Sequence, residues 1–191
     1  MTRIIGGFAG SLALRSPTAG TRPTTDRVRE AVFGALDAQD AVRGARVLDL
    51  YSGTGALGLE AAPRGAAAVT LVDRVHGAVR VGKENAALVR RAAPRGAVPE
   101  IVVTSSPVQT FLGGSLGEWD LVFLDPPYEL GPVELGHNLA ALVPRLSTEA
   151  VVVVERSARD APVEPPEGLE LVRRRDYGET AIYYLAPSQS A

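Results

Sequence analysis

Two consecutive prolines, Pro126 and Pro127, constrain this chain more than any other pair of residues. Neither can donate to a sheet ladder, and each holds φ near about −65°. The run before them, Trp119-Asp120-Leu121-Val122-Phe123-Leu124, is aromatic, branched and apolar and too short for a helix, so it predicts a strand. That strand has to stop at Asp125, which leaves an acid and an aromatic, Tyr128, at its carboxyl end on a stiffened turn. In an open α/β sheet this is the end at which ligands bind.

The residue types suit one chemistry. The Asp125 carboxylate and the Pro126 carbonyl are acceptors, and together they can take both N–H groups of one amine. Held that way, an exocyclic amine of a nucleobase, whose lone pair is otherwise delocalised into the ring, moves toward tetrahedral geometry and becomes nucleophilic. Tyr128 offers a flat face for the base, worth about 1–3 kcal/mol in comparable sites. An acid followed by Pro-Pro-Tyr at a strand end is the signature of enzymes that methylate such amines. The tetrapeptide alone is equally compatible with an ordinary proline turn, so a second site has to carry the argument.

That site lies earlier. Arg46-Val47-Leu48-Asp49-Leu50-Tyr51 predicts a strand, and Ser52-Gly53-Thr54-Gly55-Ala56-Leu57-Gly58 turns it into a helix over Leu57 to Ala62. Glycines let backbone approach a ligand, and a helix start directs N–H groups and positive dipole toward it. The next strand, Ala68 to Val72, ends at Asp73, where a carboxylate can accept both hydroxyls of an adenosine ribose. Gly53, Gly55, Gly58 and Asp73 also satisfy the dinucleotide fingerprint, so a nicotinamide or flavin oxidoreductase is the rival reading. Asp49 separates the two. It precedes the glycines in a D-x-x-x-G-x-G arrangement that suits the ammonium group of S-adenosylmethionine and repels a pyrophosphate.

Composition narrows the classes further. A chain of 191 residues with 46% hydrophobic and 22% charged residues predicts one globular domain with a substantial core. The absence of cysteine excludes disulfides and thiolate chemistry, and His76 and His137 form no metal constellation. No apolar run has the length of a membrane span and the amino terminus lacks a signal-peptide h-region, so a cytoplasmic protein is expected; a monomer without metal is expected as well. A net charge of −2 means that any nucleic-acid contact needs a local basic patch. Arg3, Arg15 and Arg22 supply one, because they are the only charged side chains up to Thr25.

Read in order, residues 2–17 predict a glycine-turned hairpin standing apart from the main sheet. A helix follows from Thr25 to Asp37, with Arg22, Thr24 and Arg27 placed where they could meet an anion, while Arg27 and Arg29 equally suit a solvated face, the commoner outcome. A helix over His76 to Ala93, a strand at Ile101-Val102-Val103 and Thr104-Ser105-Ser106 at the adenine position come next. Leu112 to Gly117 reads as a loop, Pro132 to Val143 as a helix, and Val151 to Val154 as a buried strand ending at Glu155. Leu169 to Arg174 and Thr180 to Leu185 read as a closing antiparallel pair.

The chain resembles the bacterial 16S ribosomal RNA guanine-N2 methyltransferases over nearly its whole length. The resemblance rests on Arg3-Ile4-Ile5-Gly6-Gly7, Arg22-Pro23-Thr24 with Asp26-Arg27-Val28-Arg29-Glu30, Leu48-Asp49-Leu50-Tyr51-Ser52-Gly53-Thr54-Gly55 and Asp125-Pro126-Pro127-Tyr128. It implies the Rossmann-like class I methyltransferase fold, an α/β protein whose mostly parallel seven-stranded sheet ends in an antiparallel pair, with an N-terminal β-hairpin extension. The divisions expected are an RNA-contacting arm over 1–20, the methyltransferase domain over 21–187 and a frayed tail over 188–191. S-adenosylmethionine would be the donor, leaving S-adenosylhomocysteine, and the acceptor 16S rRNA within the 30S subunit or its assembly intermediate. Thr24, Arg27, Asp49, Ser52, Gly53, Gly55, Asp73, Ser106 and Asp125 would hold the cofactor, Asp125, Pro126, Pro127 and Tyr128 the acceptor base, and Arg3, Arg15 and Arg22 the RNA. A DNA adenine-N6 methyltransferase would use the same turn but needs a target-recognition region for which the chain has little room. A non-catalytic binding protein on this fold would not need both sites.

Overall fold

The computed structural model describes residues 2–16, 25–114 and 117–188. Its strands are β1 (Arg46–Leu50), β2 (Ala68–Asp73), β3 (Glu100–Ser105), β4 (Trp119–Leu124), β5 (Leu146–Ser157), β6 (Leu169–Tyr177) and β7 (Thr180–Pro187), joined in one sheet of order β3-β2-β1-β4-β5-β7-β6. β1 to β5 run parallel, and β7 lies antiparallel between β5 and β6. The chain winds from β1 outward to β3, then returns to β4 and winds the other way. The direction of winding reverses between the paired strands β1 and β4, and at such a switch point an open α/β sheet leaves a crevice outside the carboxyl ends of its strands.

Five helices, α1 (Asp26–Asp37), α2 (Gly58–Ala61), α3 (His76–Ala92), α4 (Val108–Gly114) and α5 (Pro132–Leu142), cover the two faces. Alternation along the strands sorts the core. Val47, Leu121 and Phe123 pack with Val32, Phe33, Leu59 and Val89 of α1, α2 and α3. Leu48, Leu50, Val122 and Leu124 pack with Val108 and Leu112 of α4 and with Leu135 and Leu139 of α5. Each such side chain removed from water contributes about 1.5–3 kcal/mol. α1 starts where its Thr25 hydroxyl accepts the Val28 N–H at 3.3 Å. None of the helices among the described residues is long and apolar enough to cross a membrane.

The amino ends of β1 and β4 are tied by charge. Arg46 donates from Nε and Nη2 to the two oxygens of Asp120, each at 2.8 Å, and from Nη1 to Glu118 at 2.8 Å. The guanidinium holds the Asp120 carboxyl well below the usual carboxylate range.

Three elements differ from expectation. Residues 112–114, expected in a loop, belong to α4, because Val108 and Leu112 are one turn apart and bury together on the sheet. β5 runs from Leu146 to Ser157, well beyond the apolar Val151 to Val154, since Leu146 pairs with Trp119 across an irregular register and the far end pairs with β7. α2 has four residues and passes into a 3-10 turn at Ala62–Arg64, where Pro63 ends it.

The largest correction concerns the arm. It closes as a hairpin through a single antiparallel bridge, Arg3 to Ala13, outside the sheet. It does not stand off the domain, for Ile4, Ala9 and Leu14 are buried in the same core as α1. The Ile5 and Gly6 N–H groups donate to the two oxygens of Glu60 at 2.7 and 2.8 Å, and Glu60 is completely buried. At the other end the Arg15 N–H donates to Asn85 Oδ1 at 2.8 Å, and Asn85 Nδ2 donates back to the Arg15 carbonyl at 3.0 Å. Gly7 is required there: at φ +67° an added Cβ would meet the Pro63 carbonyl oxygen at 1.9 Å.

Arg29 is equally far from the solvated face expected of it. Its buried guanidinium donates to the Arg3 carbonyl at 2.7 Å, to Asp26 at 2.7 Å and to the Ala56 carbonyl at 3.3 Å, and lies 3.7 Å from Glu60. The arm is therefore part of the folding unit. Ile4→Ala should cost about 2–5 kcal/mol in urea unfolding, and removal of residues 1–15 should abolish a cooperative transition. An arm-deleted chain that melts like the parent would contradict this.

Candidate active site

The carboxyl ends of β1, β2, β4 and β5 open into a cleft of about 380 Å³. The glycine loop forms one wall through Ser52, Gly53 and Thr54, and the Asp125-Pro126-Pro127-Tyr128 turn forms the other. Asp49 and Asp73 lie at its base and side. A second cavity of about 530 Å³ adjoins it and includes Thr25, Val28, Arg159, Tyr177 and Gly178. Tyr128, Glu155, Ser157, Glu179 and Thr180 line both.

The glycine loop is held by carboxylates. Asp73 accepts the Gly53 N–H through one oxygen and the Val75 N–H through the other, both at 2.8 Å, so it fixes the loop to the start of α3. Each oxygen keeps a second lone pair for a ligand hydroxyl. Asp49 is almost fully buried and accepts the Gly58 N–H at 2.8 Å. The expectation of a free helix start facing a ligand is therefore wrong: α2 is a single turn, and its Gly58 N–H is occupied by the chain's own carboxylate. The glycines divide in purpose. Gly53, at φ +55°, has open space where a Cβ would stand, whereas a Cβ on Gly55 or Gly58 would meet Leu71 at 2.7 or 2.4 Å. Gly53 borders open space and the other two admit the core.

At the opposite wall, the Leu130 N–H closes the proline turn on the Pro127 carbonyl at 3.0 Å. Arg156, at the end of β5, donates to the Leu130 carbonyl at 3.0 Å and pairs with Asp160 at 2.8 Å, which anchors the segment behind the turn. Pro126 is buried, and Tyr128 is 72% exposed, an aromatic ring presented to both cavities.

Several expected residues are not brought to the cleft. Ser106 is not among its lining residues; its hydroxyl donates to the Pro107 carbonyl at 3.1 Å and its N–H to the Asp73 carbonyl at 3.0 Å. Arg27 is exposed on α1 and lines neither cavity, and Thr24 and Arg22 lie outside the described residues. Arg3 pairs with Asp26 at 3.5 Å and Arg15 with Glu84 at 2.5 Å, which reduces the positive field expected of the arm. No group of three or more histidine, aspartate or glutamate side chains able to hold a metal occurs among the described residues.

Other lining residues had no role assigned from sequence. Tyr51 follows β1 at φ +60°, an uncommon conformation for a tyrosine, and its hydroxyl accepts from Asn138 Nδ2 at 2.6 Å. Val75 is an exposed apolar residue beside Asp73. Glu155 lies near the carboxyl end of β5, two residues before Ser157, and the strand-end rule that singled out Asp73 and Asp125 applies to it as well.

Burial pushes the Asp49 carboxyl up to about 8, with the Gly58 N–H opposing and the charges of Asp125 and Asp73 adding to the rise. The folded protein then holds a proton that the unfolded chain, near about 3.9, has released, so stability is lost as pH rises toward 8. Asp49→Asn, which still offers an oxygen to Gly58, should flatten this loss. Thermal melts of the two proteins at about pH 5 and about pH 9 should diverge at the higher value. Parallel curves would mean that Asp49 does not titrate in this window.

Residues 2–186 match the family model described as Conserved hypothetical protein 95. The chain is 34% identical over 180 residues to the ribosomal RNA small subunit methyltransferase D of Escherichia coli K12, spanning 94% of this chain and 86% of that protein. The solved structure of the Escherichia coli protein yhhF superposes with a TM-score of 0.80 at 30% identity, covering 98% of this chain and 99% of that one. Magnesium protoporphyrin IX methyltransferase of Synechocystis, solved with bound SAM, shares the fold at a TM-score of 0.64 and 16% identity, covering 88% and 87%.

Proposed function

Because the chain belongs to the Conserved hypothetical protein 95 family, that of the ribosomal RNA small subunit methyltransferase D proteins, and is a methyltransferase, we propose that it moves a methyl group from S-adenosylmethionine to the N2 amine of one guanine in 16S rRNA of the small subunit. One observation carries the reading. The glycine loop with Asp73 and the Asp125-Pro126-Pro127-Tyr128 turn line a single cleft together. A dinucleotide is disfavoured there, because the helix-start N–H that would meet a pyrophosphate is taken by Asp49.

The residues fit the cofactor. Gly53 leaves its backbone open, Asp73 retains acceptor positions for ribose hydroxyls, and Ala56, Leu57 and Val75 offer apolar surface to an adenine. When bound, S-adenosylmethionine supplies an electrophilic methyl on a sulfonium, whose S–C electron pair stays with the departing thioether. Asp125 and the Pro126 carbonyl accept the two N–H groups of the base amine and aim its lone pair at that carbon. As the N–C bond forms, the surplus amine proton leaves along the hydrogen bond to Asp125. Tyr128 stacks on the base, which reaches the cleft unpaired or flipped out of its helix. No acid or base of unusual strength is required, and positioning can supply about 7–11 kcal/mol.

Labelled S-adenosylmethionine offered with undermethylated 30S subunits, naked 16S rRNA and DNA tests the substrate; methyl transfer to DNA and not to subunits would overturn the reading. Asp125→Ala should lower kcat by about 10²-fold or more, a loss of about 3 kcal/mol, with cofactor affinity in calorimetry unchanged. A turnover equal to the parent's would leave Asp125 a turn residue. The buried Asp49 should ionise when it meets the cofactor's ammonium, so binding at neutral pH should release a proton, read as an enthalpy that changes with buffer. A buffer-independent enthalpy would remove Asp49 from the ammonium site.

A further inference from the structure

We propose that Glu155 determines the base accepted by this enzyme, its carboxylate taking the N1–H of the target guanine beside the N2 amine held by Asp125. The inference rests on the guanine-N2 reading above and deepens it. Leu124 and Val154 are register partners on β4 and β5, so Asp125, which follows β4, is next in line to Glu155, which is still within β5, on neighbouring strands whose backbones lie about 4.8 Å apart. Glu155 lines both cavities, as does Tyr128, and the two residues flank the passage between the cofactor cleft and its neighbour. A base stacked on Tyr128 with its amine at Asp125 can then present its N1 edge to β5.

The chemistry of that edge decides what a carboxylate does there. In guanine the amine-bearing carbon C2 lies between N1–H, a donor, and N3, an acceptor, so with the N1 side toward β5 Asp125 and Glu155 meet two neighbouring donors. In adenine and cytosine the ring nitrogen beside the amine is an acceptor, and a carboxylate facing it repels the base and strands a lone pair. Sites built to hydrogen-bond a substrate N–H reject analogues lacking it far more strongly than apolar pockets reject shape. The carboxylate has about four acceptor positions, so contacts within the chain leave capacity for the base. Glu179, the other acid shared by the cavities, is less suited. Its Oε1 accepts from Arg159 at 2.7 Å on the exposed rim of the β6–β7 turn.

The test compares guanine with 2-aminopurine, which keeps the amine but replaces N1–H with an acceptor, at the methylated position of reconstituted small subunits. The parent should methylate guanine and strongly disfavour 2-aminopurine. Glu155→Gln should lose about 10²-fold in kcat/KM on guanine, and its guanine to 2-aminopurine ratio should fall at least about 10-fold, because a carboxamide N–H can donate to the new acceptor. The ratio is internal to each protein preparation, so a partly folded variant does not distort it, and calorimetry should give the parent's cofactor affinity. Parent-like kcat/KM on guanine, or an equal loss on both bases, would overturn the role of Glu155. A parent protein inactive on guanine subunits would overturn the guanine reading itself and this inference with it.

Discussion

The structure depends on how one buried charge is satisfied. Glu60 lies under the glycine loop with no exposure to water, and an isolated carboxylate there would be untenable. Its oxygens are met by the Ile5 and Gly6 N–H groups and by Arg64 Nε and Nη2 at 2.9 and 2.8 Å, with the Arg29 guanidinium close by. Arg29 in turn reaches the Arg3 and Ala56 carbonyls, and Arg64 lies over the Phe33 ring at 4.9 Å. Removing one member of such a set leaves an uncompensated charge, typically at about 3–5 kcal/mol. The arm, α1 and the glycine loop are thus one polar assembly, closed at its other end by Asn85, which bonds the Arg15 and Thr54 carbonyls.

This assembly reassigns two sequence blocks. Arg3-Ile4-Ile5-Gly6-Gly7 and Asp26-Arg27-Val28-Arg29-Glu30 look like surface motifs rich in cations. In the fold their shared element is the Arg29–Arg3 contact, and through Arg29, which reaches the Ala56 carbonyl, they brace the glycine loop. A basic residue read along a sequence has no depth, and burial of an arginine becomes evident only when the buried acid beside it, here Glu60, 31 positions away, is known.

What was legible in the sequence is what local chemistry dictates. The proline pair ended β4, the glycine loop followed β1, and Asp73 ended β2, which placed both halves of the cleft at one edge of the sheet. The mostly parallel sheet with its closing antiparallel pair followed from alternation of strand and helix. The misreadings fell where tertiary packing overrode local signals. Val108 and Leu112 form a helix despite Gly113 and Gly114 because the sheet offers them a core, and Ser106 is turned aside by the same start of α4. Glu155 was visible as a strand end, but its neighbourhood with Asp125 requires knowing that β5 lies beside β4.

Arg46 sits at the far edge of the sheet from the cleft, yet its fork on Asp120 fixes how far β1 and β4 slide past one another. A slip of one residue would displace Asp125 by about 3.3 Å relative to Asp49 and turn alternate side chains to the wrong face. The charge pair acts as a vernier: set at one end of a rigid rule, it is read at the other. Damage to it would leave every group of the cleft intact and merely out of alignment.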